Sequence, residues 1–316
     1  MISPLRKISL SAVMAGVGCG LGLAGETVGP TPTPTAGEAG SSADRPPGWL
    51  AVTPGYTHQF DTDLDGGDIS FSADRWRLVT GTRIPFSDAF TLTIGVEAEW
   101  SRYDFSGKDA QTLGLTNDTD DLFVGQVGAF GTYALNDTWE LMAGGTVSWG
   151  GDFDANFSDG AGGSGLLGVT YRFTPRFSLS PGVLALARLE DDALVIPVLG
   201  MDWEITDSWR LRSIGPGAEL AWRAHDDWSF ILRTLYRPRD FRLASDATVP
   251  NGVLRERAFP VTATIEWQPT ARVTASIFGG AIFGGQLRLV EDGGRERLDE
   301  DADITPIVGG SLRIMF

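Results

Sequence analysis

The sequence predicts an all-β fold: a transmembrane, antiparallel up-and-down β-barrel of about 14 strands, with 12 as the alternative count. Three observations carry this. Apolar residues alternate with small or polar ones over unusually long runs. Pairs of aromatic residues flank a recurring short turn. These short turns take their place between long acidic connections.

The alternation has a period of two, which places successive side chains on opposite faces of a strand. Phe90, Leu92, Ile94, Val96, Ala98 and Trp100 interleave with Thr91, Thr93, Gly95, Glu97, Glu99 and Ser101. Trp139, Leu141, Ala143, Val147 and Trp149 do the same against Glu140, Met142, Gly144, Thr146 and Ser148, and 259–267 repeats the pattern. A soluble sandwich also alternates, but its strands usually hold about five or six residues. Many of these runs exceed the roughly 9 to 11 residues that a tilted membrane strand needs. Runs are expected at 49–60, 72–84, 90–104, 121–134, 139–150, 162–174, 177–189, 194–204, 209–223, 228–241, 255–267, 272–288 and 303–316. That count is odd, whereas single-chain bacterial barrels have even numbers. Pro216 within 209–223 is poorly tolerated in a paired strand, so the run divides into 209–214 and 217–223.

The turn recurs as Tyr133-Ala-Leu-Asn-Asp-Thr-Trp139, Trp203-Glu-Ile-Thr-Asp-Ser-Trp209 and Trp222-Arg-Ala-His-Asp-Asp-Trp228, with looser copies at 86–90, 173–177 and 267–272. Asn, Asp, Ser and Pro favour the reversal. One such hairpin could reflect ordinary cross-strand pairing. Six at one depth describe the aromatic ring at a membrane interface. Phe90, Tyr133, Trp139, Phe177, Trp203, Trp209, Trp222, Trp228, Trp267 and Phe316 are its expected members.

The longer connections, 61–71, 104–121, 150–162, 190–193, 240–254 and 291–303, together carry more negative charge than the net −16 of the chain. Short turns on one side and long loops on the other place the loops outside the cell. With the apolar face on lipid, the other face lines the lumen. It carries Arg75, Arg77, Arg83, Arg172, Arg188, Arg210, Arg212, Arg233, Arg237 and Arg313, with Glu97, Glu99, Glu140, Asp202, Glu204, Glu219 and Glu266. Paired, these charges would fill the barrel; segregated across a bore, they would select solutes. A conducting barrel is the first expectation. A non-conducting structural or surface-binding barrel, its acidic loops bridged by divalent cations, is the alternative.

Residues 1–24 read as a secretory signal, with Arg6 and Lys7 before an apolar stretch and Gly22-Leu23-Ala24 as a cleavage site. Lipoprotein processing at Cys19 is the other possibility. Residues 25–48 are rich in Pro, Thr, Gly and Ser and read as a disordered linker; the barrel domain is 49–316. No later apolar run reaches the roughly 18 residues of a spanning helix. Lys is almost absent and the chain is acidic, which argues against nucleic acid. The lone Cys19 allows no disulfide framework.

Asp61, Asp63, Asp65 and Asp68 follow the start of a calcium-loop pattern, but Ser72 stands where a bidentate Glu is required. A solvated acidic loop is the plainer reading, with Ca2+ in an outer loop as the alternative and no other cofactor expected. His58 and His225 are the only histidines, and no nucleophile motif accompanies either. An enzyme is not expected.

Three stretches, Arg212–Gly217 with Glu219-Leu-Ala-Trp222 and Asp227-Trp-Ser-Phe230, then Tyr236–Leu243, then Gly279–Leu289, resemble an uncharacterised family of bacterial outer-membrane β-barrels, broadly porin-like. The resemblance covers about the last 110 residues and supplies no catalytic residues. It implies a lipid bilayer as surroundings, the bacterial outer membrane as location, and an assembly machinery that reads the closing strand ending in Phe316. That strand, 303–316, is expected to close the barrel against 49–60.

Overall fold

The computed structural model describes residues 49–119, 121–156, 158–188, 191–213 and 217–316. The expected signal and linker segments, Cys19 and Pro216 lie outside the described residues.

The strands are β1 (Trp49–Asp63), β2 (Ser70–Pro85), β3 (Phe90–Ser106), β4 (Leu122–Ala134), β5 (Trp139–Asp152), β6 (Ala161–Thr174), β7 (Phe177–Arg188), β8 (Asp191–Glu204), β9 (Trp209–Ser213), β10 (Gly217–His225), β11 (Trp228–Leu235), β12 (Arg237–Arg242), β13 (Val253–Thr270), β14 (Val273–Val290), β15 (Glu296–Ala302) and β16 (Thr305–Met315). Two short helices, α1 (Lys108–Thr112) and α2 (Leu115–Asp118), lie between β3 and β4.

Each strand from β1 to β10 pairs with the next. β11 then pairs with β13, β13 with β14, β14 with β16, and β16 with β1, which closes a ring of 14 antiparallel strands. The closing seam runs from Ala51↔Met315 to Gln59↔Ile307. The division at Pro216 therefore gives the right count. Two features depart from the expected runs. Residues 228–241 form two strands, because the chain bends at Tyr236 and β12 leaves the wall. Residues 296–302, expected as an acidic loop, form β15.

The turns at one end form as their residues dictate. The Asn136 side-chain oxygen accepts from the Thr138 and Trp139 N–H groups, each at 2.9 Å. Ser87 Oγ and Thr206 Oγ1 do the same for Phe90 and Trp209 at 3.0 and 3.1 Å. A side chain that mimics a backbone acceptor fixes a tight reversal.

At the other end the outer halves of β13 and β14, with β12 and β15, form a sheet in the order β12-β13-β14-β15. It leans across the mouth as a roof. One edge meets β1, where Leu64 bridges Ala302 and the Asp65 N–H donates to Asp301 O at 3.0 Å. The other edge reaches β5, where Arg242 pairs with Gly151. β5 lies halfway round the ring from β13. The approach requires glycine, since a Cβ on Gly151 would lie 2.7 Å from Arg242 O.

Beneath the roof lies the main apolar core. It joins Phe71, Tyr103 and Phe105 of the wall, Ala110 and Leu115 of the helices, and Phe241, Leu254, Leu287 and Leu289 of the roof. This inverts the pattern of the lower barrel. On β3 the outward residues are apolar up to Trp100 and then become Arg102, Asp104 and Ser106, all exposed. The inward residues change the opposite way, from Thr91 and Thr93 to Tyr103 and Phe105. Above Trp100 the wall has water outside and packed protein inside.

Candidate functional site

Two aromatic rows bound the outward apolar face. In the outer row, register places Tyr56 beside Trp76, Trp76 beside Trp100 and Trp100 beside Phe123. The Trp76 and Trp100 rings stack at 4.4 Å between centroids. At the turn end, Phe90 pairs with Tyr133, Phe177 with Trp203, Trp209 with Trp222 and Trp228 with Trp267. Trp139 sits beside Tyr171, and Phe316 is exposed at the seam. Ten residues separate Phe90 from Trp100 on β3. At roughly 3.3 Å per residue and a tilt of about 40°, the rows stand about 25 Å apart, the height of a barrel's apolar band. Between them the outward Val147, Leu167, Val195 and Ile277 are each more than 60% exposed. A ring of paired strands that closes on itself and carries an apolar belt of membrane height has one stable setting. The chain is a transmembrane β-barrel of the outer-membrane type.

No protein family and no curated protein matches the sequence. Among solved structures, the chain is similar to an outer membrane channel from Pseudomonas putida F1, at 13% identity over 86% of this chain and 97% of that one, with a TM-score of 0.47. It is similar to the KdgM porin at 9% identity over 84% and 99%, with a TM-score of 0.35. The P. putida toluene transporter TodX shares 9% identity over 87% and 91%, with a TM-score of 0.42. Likenesses this distant carry no functional argument. The barrel's own strand pairing carries the fold.

The inward rows hold Arg75, Arg77 and Arg83 on β2, Glu97 and Glu99 on β3, Glu140 on β5, Arg172 on β6, and Asp202 and Glu204 on β8. Arg210, Arg212, Glu219, Arg233, Glu266 and Arg313 also point inward. Arg188 stands opposite Asp191 in the backbone register where β7 meets β8. Arg237 belongs to β12 and reaches the bore from the roof rather than from the wall, 3.9 Å from Glu99.

Many of these charges are paired with one another. Under the roof, Arg75 donates to Glu256 at 2.9 and 3.0 Å and to Gln59 at 2.9 Å. The Tyr103 hydroxyl donates to Glu256 at 2.5 Å. Arg239 lies 2.6 Å from Glu99 and 3.4 Å from Glu256. Arg77 donates to Glu97 at 2.6 Å. This network ties β12 and β13 to β2 and β3. A second group lies nearer the turn end and stays within one stretch of wall. Arg210 donates to Asp202 at 2.7 Å, while Arg212 and Arg233 grip the two oxygens of Glu219 at 3.1 and 2.9 Å.

Arg239 and Glu256 escape sequence reasoning because they fall where the chain bends or was expected to continue as plain wall. A second feature contradicts the expectation of a uniformly polar lining. Phe130, Met142, Leu166 and Leu184 all point inward and are buried together, with Leu186, Ile196 and Val198 against them. They form an apolar strip from β4 to β8 inside the barrel. Elsewhere the inward face is dominated by small residues, including Thr53, Thr146, Thr170, Ser178, Ser180 and Ser276. Thr170 bonds Ser180 at 2.8 Å and Ser276 bonds Ser311 at 2.6 Å, along the wall.

Asp61, Asp63, Asp65 and Asp68 are exposed at the outer end of β1 and in the loop after it. The Asp68 N–H donates to Asp109 at 2.9 Å and the Lys108 N–H to Asp68 at 3.2 Å, joining this loop to α1. Among the described residues no group of three or more acidic, His or Cys side chains is arranged to hold a metal. His58 faces outward at the outer aromatic row. Its Nδ1 lies 2.8 Å from Asp74, which also accepts the Tyr56 hydroxyl at 2.5 Å. A base and a carboxylate are thus adjacent. A hydrolase would also need a nucleophile on the ring, and none is hydrogen-bonded to His58 among the described residues.

Proposed function

We propose that the barrel is an outer-membrane channel that lets small solutes cross by passive diffusion. One observation carries this reading: below the roof, close to half of the inward positions are Gly, Ser or Thr, so much of the wall presents small side chains to the ring's interior. Fourteen strands spaced about 4.8 Å apart and tilted by roughly 40° form a backbone circle roughly 28 Å across. Barrels of about eight strands are the ones that side chains can fill. The paired charges support the wall and roof rather than a transverse field. The reading includes no chemical step.

Purified full-length protein incorporated into a planar bilayer is expected to give discrete conductance steps, and in liposomes to let L-arabinose cause swelling. A bilayer that stays silent together with liposomes that do not swell overturns the proposal in favour of a structural barrel.

A further inference from the structure

We infer that the barrel wall has a lateral portal beside β8, through which small uncharged apolar molecules pass between the bore and the membrane. The inference rests on the channel reading and names a substrate class for it.

The portal follows from strand register. β8 pairs with β7 from Asp191 to Trp203, almost its whole length. On its other side it pairs with β9 only from Met201 to Glu204. β9 ends at Ser213 and β10 starts at Gly217. β11 ends at Leu235, after which the chain turns into the roof. Among the described residues, no strand pairs with the edge of β8 from Asp191 to Gly200; the Ser213 hydroxyl at the end of β9 reaches it once, donating to Leu199 O at 3.1 Å. Three strands, β9, β10 and β11, are missing from the wall there, a width of roughly 14 Å. Counted up from Trp203 in the turn-end row, the bare edge occupies about the upper 18 Å of the apolar band.

An unpaired strand edge facing lipid is costly, because its N–H and C=O groups find no partner in hydrocarbon. Such backbone persists at membrane depth only where protein covers it or where it lines a water-filled cavity. The edge of β8 is also built differently from the other strands. Leu194, Val195, Ile196, Pro197, Val198 and Leu199 are apolar on both faces. Pro197 removes one N–H that would otherwise lack a partner. On β3 the inward face at comparable height holds Glu97 and Glu99. On β8 it holds Ile196 and Val198, which continue into Leu184, Leu166, Met142 and Phe130. An apolar surface thus runs without a break from the lipid-facing wall, past the edge, and into the bore. A charged or strongly hydrated solute would shed water for no partner on it. A small apolar molecule gains by burial at every point.

The test uses full-length protein in a Cys19→Ser background, labelled with bimane at one cysteine and placed in liposomes. Val198→Cys reports the inward face at the portal, Val195→Cys the lipid-facing side of the same strand, and Ser311→Cys the inward face on β16. Phosphatidylcholine with a mid-chain nitroxide is the first quencher. The portal requires Val198 to be quenched at least threefold more than Ser311, approaching Val195; quenching equal to Ser311 means a sealed wall and overturns the inference. Iodobenzene and iodide then test the substrate class. Stronger quenching of Val198 by iodobenzene than by iodide is expected, and the reverse order overturns an apolar substrate. L-arabinose swelling run in parallel separates the two readings. Failure there with lipid quenching intact removes the general diffusion channel and leaves the portal standing.

Discussion

Arg239 on β12 donates through Nε to Glu99 on β3 at 2.6 Å, joining residues 140 positions apart across the mouth of the barrel. Both side chains are buried, and Arg237 approaches the same carboxylate. Replacing Glu99 by Gln removes a counter-charge while leaving two guanidinium groups in place. Stripping one partner from a buried pair costs about 3–5 kcal/mol. Glu99→Gln is therefore expected to lower the urea midpoint of the protein in vesicles and to raise its conductance by loosening the roof. An unchanged midpoint with unchanged conductance would show that the roof is held by its apolar core alone.

The contact of β12 with β5 makes a separate prediction. Gly151 leaves room for the Arg242 carbonyl, and any Cβ there intrudes on it. Gly151→Val should displace the free edge of the roof while leaving the wall register intact, at a cost of about 1–3 kcal/mol, the usual range for overpacking. Larger single-channel steps than wild type are the expected readout. Steps of the same size would mean that the roof edge does not obstruct flow.

The two faces of β6 offer an internal control on orientation. Leu167 is 67% exposed on the outward face, near the middle of the apolar band, and Ser164 lies on the inward face. Leu167→Arg should cost about 2–4 kcal/mol, the penalty for Arg at the bilayer midplane. Ser164→Arg should cost clearly less, because its charge projects into the bore. Folding titrations into vesicles would compare them, and equal penalties would contradict the assignment of faces.

Much of this architecture was legible in the chain. Period-two alternation, the aromatic turns and Pro216 gave the ring, its strand number and its lower girdle. These are local signals, repeated around the barrel. The roof was not legible, because 237–241 and 255–258 read as continuing wall, and only tertiary packing against Tyr103 and Glu99 turns them inward. One clue was present: past Trp76 and Trp100 the apolar positions change face, from outward Trp100 to inward Tyr103 and Phe105. Such an inversion means that water and packed protein have exchanged sides. The inner apolar strip was hidden differently. Met142 and Leu166 occupy positions whose parity alone marks them as inward, among neighbours that suggested a polar lining. Which charges pair was also out of reach, since period fixes a face but not the partner across a register.

The grip of Arg212 and Arg233 on Glu219 separates two roles for a buried charge. Glu219 is fully buried, and each of its oxygens accepts from a different guanidinium group. If the triad chiefly stabilises the wall, any removal should be costly. If the cost arises from leaving charges unmatched, replacing all three together should be mild. Buried Arg–Glu–Arg groups exchanged for apolar side chains of similar volume are often neutral or stabilising, by about 1–4 kcal/mol, whereas removing one partner costs about 3–5 kcal/mol. Glu219→Gln should therefore destabilise the barrel strongly, and Glu219→Leu combined with Arg212→Met and Arg233→Met should recover most of the loss. The indole rings of Trp209 and Trp222, stacked at 5.7 Å on the outward face of the same two strands, supply a fluorescence signal for the unfolding of this stretch of wall. A triple variant as unstable as the single one would show that the triad contributes net stability where the ring's three shortest strands, β9, β10 and β11, lie side by side.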